Sequence, residues 1–232
     1  MAFSRTAKAT AAAETFTLDT SGFSVTAGDL LVLCVASKNT VTATLRKTSD
    51  SSLVQTFTQA ATIANSTAVR TTMLYLPNTT NPGENVFVRV SHGGAGTVAA
   101  TVSAVSDAAQ SSPLDKTQTG TGSGTSPSSG DTATTEEAPE ILFGAIGTAG
   151  PSTDGAGSWD GLFTAGQRVG TAGTGADVTI SEGFRIVSAT GIYSAAKTGI
   201  ASADWAAAIG TFKAPPFIPY TVTPIMGPIL AR

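Results

Sequence analysis

Only 12% of the 232 residues are charged and the formal net charge is −3, against a usual charged share of roughly 25%. A weakly acidic chain with no Lys/Arg cluster and no interleaved basic and aromatic residues lacks the footprint of a nucleic-acid binder or of a membrane-surface helix. Its 25 glycines and 41% hydrophobic residues argue against disorder and fit a β protein rich in tight turns.

Residues 1–13 are read as a separate N-terminal segment. They hold Arg5 and Lys8 but no continuous apolar run of a signal peptide. No stretch reaches the ~18 apolar residues of a membrane-spanning helix, so no membrane insertion is expected.

Residues 14–213 carry strand signals almost throughout. "LLVLCVAS" is a continuous apolar run, as expected of a central strand buried on both faces. It contains the single cysteine, Cys34, which excludes an intrachain disulfide and reads as a small buried hydrophobe. "VTATLRK" alternates, with Val41, Ala43 and Leu45 on one face. "VFVRVS" does the same with Val86, Val88 and Val90. "SHGGAG" reads as a turn that exposes His92, the only histidine, and "TVAATVSAVS" as a further strand. "KTQTGTGSG" and "DTATT" alternate Thr with small residues and suit edge strands. "EILFGAIGTAG" repeats the pattern of "DLLVLCVAS", predicting corresponding central strands in two halves of a sandwich. "SADWAAAIGTFKA" is read as a strand despite its Ala run, because its end is β-branched and Gly-containing. The best-defined strands are placed at 30–37, 69–76, 86–91, 97–106, 140–147 and 205–213. Many short strands without 3.6-residue periodicity predict an all-β fold, an antiparallel β-sandwich of jelly-roll-like type.

Little in the chain points to catalysis. One histidine cannot build a multi-histidine metal site, and no serine sits in a G-x-S-x-G elbow. Glu136, Glu137 and Glu140 cluster before a strand, where Glu136 and Glu137 read as its solvated entry, and "DGAGSWDG" lacks a spaced calcium-ligand pattern. No enzyme activity, cofactor or metal is expected. Trp159, in a Gly-rich loop, and Tyr193 are the candidate glycan-stacking residues; Trp205 reads as core.

Residues 214–232, "APPFIPYTVTPIMGPILAR", form an extended Pro-rich arm. Five prolines exclude a helix, and no charge appears before Arg232. Phe217, Ile218, Tyr220, Val222, Ile225, Met226, Ile229 and Leu230 are costly to leave in water, each worth roughly 1.5–3 kcal/mol when buried. They are the candidate partner-docking residues, laid as an extended peptide into a groove or along a sheet edge.

In order along the chain, "VTAGDLLVLCVAS", "NPGENVFVRVS", "SPLDKTQTGTGSGTSPSSGDTATT", "EILFGAIGT" and "SADWAAAIGTFKA" resemble a β-sandwich domain of virion proteins of tailed bacteriophages. These are notably phages of actinobacteria, with related domains in some bacterial surface proteins. The resemblance spans residues 14–213, and the order of the motifs carries it. It implies a jelly-roll-like fold and a structural role as a minor tail protein, located in the phage particle after assembly in the host cytoplasm. Other virion proteins are then the expected partners through residues 214–232. A homo-oligomer, for which a trimer is one arrangement, and contact with a host surface glycan are expected as well. Alternatives are a capsid decoration protein and a carbohydrate-binding module; a glycan-degrading enzyme is the least favoured.

Overall fold

A computed structural model describes residues 3–173 and 175–216. Among these every regular element is a strand, fourteen in all, and every strand pairing is antiparallel. The chain forms the expected antiparallel sandwich. The eight candidate docking residues between Phe217 and Leu230 lie outside the described residues.

The first sheet is built from β1 (Ser4–Asp19), β2 (Leu30–Ser37), β3 (Val41–Lys47), β4 (Leu53–Thr56), β5 (Thr58–Asn65), β6 (Val69–Leu76) and β7 (Val86–Ser106). Its path is β4-β3-β7-β2-β6-β5, with β1 added along β7. The first half of β7 pairs with β3 and the second half with β2, while β1 runs past both. Both halves feed one apolar cluster, with Val88 and Leu45 from one and Val102 and Leu33 from the other. The sheet therefore curls over on itself around β7.

Two readings are corrected here. "SHGGAG" is not a hairpin turn but part of β7. Opposite it the β1 register jumps from Thr15↔Gly96 to Thr17↔Ser91, a multi-residue bulge of the kind that bends a strand. His92 consequently lies on a paired strand, opposite Val41, and is only 9% exposed. The N-terminal segment is not separate either, because β1 begins at Ser4.

The second sheet, β11-β12-β9-β14-β8, contains β8 (Leu114–Gly124), β9 (Glu140–Ala149), β11 (Thr164–Gly170), β12 (Val178–Val187) and β14 (Ala203–Lys213). β2 and β9 are interior strands of their sheets, as their shared pattern predicts. Val32, Cys34 and Ala36 of β2 meet Ile141, Phe143 and Ala145 of β9 in the core between the sheets. β8 is an edge strand, as read from its Thr-Gly alternation. "DTATT" joins no sheet; Thr132 and Thr135 instead donate to the carbonyls of Tyr193 and Gly191.

A third layer covers the outer face of the second sheet. Here β10 (Ala156–Trp159) pairs with β13 (Lys197–Ile200), and residues 125–135 run beside residues 191–200. Beneath lie Leu142, Ile146, Ala207, Ile209 and Trp205.

Candidate functional site

β12 organises the polar groups of the second sheet, because successive side chains on a strand point to opposite faces. Glu182 faces the first sheet. Arg5, from β1, donates to its Oε1 at 2.6 Å, and the Ser103 hydroxyl donates to the same oxygen at 2.7 Å. Gln167 joins this network by donating to the Ser103 hydroxyl at 3.4 Å and also donates to the Val102 carbonyl. The Glu182 side chain is fully buried, and its Oε2 has no hydrogen-bond partner.

Ser181, one residue earlier, faces the outer layer. Its hydroxyl is 3.3 Å from the Nζ of Lys197, on β13, and Lys197 is only 3% exposed. Burial, with the nearby Arg168 charge as the second cause, lowers the Lys197 ammonium to about 8. Arg168 is held by the carbonyls of Ser152 and Asp154 and lies below the usual arginine range, chiefly through burial.

Trp159 closes the other side of Lys197, whose Nζ is 5.4 Å from the indole ring. The ring lies over two glycines: a Cβ on Gly183 or Gly144 would come within 2.6 Å or 2.9 Å of it. Phe163 stacks on it at 5.7 Å with planes 22° apart. Trp159 is thus a packed wedge at the end of a strand rather than a free loop aromatic, and a sugar ring would compete with Phe163 for its surface. Trp159, Phe163, Gln167, Arg168 and Lys197 line a groove of about 360 Å³.

Tyr193 lines a different groove, of about 480 Å³, with Leu162, Phe184, Arg185 and Ile186. The Arg185 guanidinium sits 5.3 Å over its ring, and its hydroxyl donates to the Ala189 carbonyl. Trp159 and Tyr193 share the apolar cluster beneath them but form no joint stacking platform. The Tyr193 groove is notable for what it leaves open. Leu162 is 73% exposed, Ile186 50% and neighbouring Ile192 60%. β11 begins at Thr164, opposite Phe184. Residues 185–187 therefore pair with β9 on one side and, among the described residues, with no strand on the other.

Two further residues are defined by their packing. Trp205 is buried with Ile146, Ile200 and Ala207, as expected of a core residue. Glu140, the first residue of the strand placed at 140–147, is fully buried. Burial, then the neighbouring Asp115 charge, raises its carboxyl to about 8. Neither of its oxygens has a hydrogen-bond partner of normal geometry. Lys197, Arg168 and Arg5 escaped the sequence reading because no local pattern marks them; their partners lie 14 to 177 positions away. Among the described residues no cluster of three or more His, Cys, Asp or Glu side chains is placed to hold a metal ion. No protein-family model matches the sequence, and neither the curated proteins nor the solved structures searched give a match.

Proposed function

We propose that the chain is a structural component of a tailed-bacteriophage particle, a minor tail protein that assembles through residues 214–232 and meets the host surface with its sandwich. The resemblance of its ordered strand motifs supports the phage reading. The observation that carries assembly is the Tyr193 groove. It joins exposed Leu162 and Ile186 to a stretch of the β12 edge that no strand among the described residues pairs, and an open edge with apolar neighbours invites strand addition.

The occupant we assign to it is the segment 217–232 of a neighbouring copy. That segment is uncharged until Arg232 and supplies eight large apolar side chains. β14 ends at Lys213, opposite Glu140, which in turn pairs with Val187. The chain thus leaves the sheet at the end where the groove opens, two strand spacings away, or about 10 Å. The stiff pair Pro215-Pro216 at this exit disfavours the sharp reversal needed to return onto its own sheet.

Light scattering of the full chain and of a chain ending at residue 216 tests this. The full chain should associate, and the truncated one should be a monomer with an unchanged melting temperature. Ile186→Asp in the full chain should reproduce the monomer. A truncated chain that associates normally overturns the docking role. Imaging of intact particles tests the location: density on the shell would make the chain a capsid decoration protein, and absence from particles would overturn the virion reading.

A further inference from the structure

Lys197 presents an unbalanced charge. A buried ammonium normally has a carboxylate or several acceptors around it, because an unpaired charge in a low-dielectric site is costly. Lys197 has one hydroxyl and an indole face. Six ion pairs form among the described residues, and neither Lys197 nor Arg168 takes part in any of them.

The ionisable groups around the groove do not supply the missing charge. From β11, Arg168 adds a second cation whose guanidinium is spent on two carbonyls. Asp154, in the loop before β10, acts on Arg168 from beyond ion-pair distance. Asp160, just after β10, accepts from the Thr198 hydroxyl. Glu182 of β12 also lines the groove, but its carboxylate is already matched by Arg5 and accepts from Ser103. Among the described residues every carboxylate near the groove is therefore spent on another group or lies beyond ion-pair distance of Lys197, while the walls enclose space for a further anion.

We infer that the groove between Trp159 and Lys197 is a binding site for a small oxyanion-bearing ligand. The anion accepts hydrogen bonds from the Lys197 ammonium and lies in the field of Arg168. Trp159 and Phe163, stacked on each other, border it with ring edges rather than a free face, so a ring that carries the anion gains edge contact that the bare ion lacks. A carboxylate and a sulfate share this recognition chemistry, and the probes below separate them. Every residue of the site lies among the described residues, and none of them lines the Tyr193 groove.

The test is titration of the full-length protein with sulfate and with glucuronate at pH 6.5 and low ionic strength, followed by isothermal calorimetry and by the carbon resonances of the Lys197 side chain. Saturable binding is expected, tighter for glucuronate than for sulfate if the ring uses the edge contact. Affinity should fall about tenfold or more between pH 7 and pH 9.5 as Lys197 loses its proton. Lys197→Met removes a buried charge and should fold with at least the parent melting temperature, yet lose saturable binding. Equal binding by Lys197→Met, or weak unsaturable binding by the parent, would mean an adventitious ion only and overturn the site. A Lys197 resonance that titrates like that of an exposed lysine would overturn it as well.

Discussion

On the inner face of β12, Arg5 reaches Glu182 at 2.6 Å, and Ser103 shares the same carboxylate oxygen. On the outer face, one residue earlier, Ser181 offers Lys197 a single hydroxyl at 3.3 Å. Both cations are largely buried, and they sit on the two sides of one strand. The inner one lies between two sheets that must stay together, and there the charge is matched within the chain. The outer one lies under a cover of loops and short strands, and there it is not. Burial alone does not tell which charge serves the fold and which remains open to something outside it; the partner does.

Breaking the inner pair should have the largest effect. Arg5→Ala leaves the Glu182 carboxylate buried without its cation, and urea denaturation should show a loss of roughly 2–4 kcal/mol. The double variant Arg5→Met with Glu182→Gln should recover most of it, since no uncompensated charge remains. A neutral Arg5→Ala would show that the pair adds nothing to the union of the two sheets.

Glu140 extends the comparison to the opposite sign. Its carboxyl, raised to about 8 from an ordinary 4.5, holds its proton longer in the folded state than in the unfolded one. Stability should therefore fall as pH rises from about 4.5 to about 8 and level off above. Glu140→Gln should remove that slope and stabilise the protein by roughly 1–3 kcal/mol at pH 8. Denaturation midpoints across this pH range give the answer, and an unchanged slope would mean that Glu140 ionises freely.

The smallest effect belongs to Lys197. Its folded value, about 8, lies below its ordinary 10.5, so the unfolded chain holds the proton longer. Stability should rise with pH between about 8 and 10.5, with the cost of the buried ammonium present below that window. Lys197→Met should abolish this slope and gain about 1 kcal/mol at pH 7. A loss instead would show that the Trp159 contact outweighs the desolvation of the charge.

The strand framework was legible because burial wrote itself into local patterns. The run at 30–37 is buried along its whole length, the alternation at 41–47 keeps Val41, Ala43 and Leu45 inside, and the Ala-rich 203–213 is a strand. "SHGGAG" misled because a glycine cluster permits a turn and a bulge equally well. What decides is a partner strand, β1, whose Ala- and Thr-rich sequence carries no clear apolar alternation. Trp159 and Tyr193 were visible as rare aromatics, but their neighbours were not. In "SAAKTGI" a lysine reads as exposed. It is buried because β10 pairs across it and Trp159, seated on Gly144 and Gly183, closes over it. Arg5 and Glu182 are 177 positions apart, and nothing local announces their meeting.

The sheets are filled one after the other, with β1–β7 in the first and β8, β9, β11, β12 and β14 in the second. That order has a consequence in time. On the ribosome the first sheet is complete when Ser106 emerges, while the face formed by Val32, Cys34, Ala36 and Ala99 still waits for β9, β12 and β14. At about 5–20 residues per second, the remaining strands take several seconds to arrive. During that interval the nascent chain presents an apolar sheet face to solvent, and this interval is where chaperone demand and aggregation of the protein should concentrate.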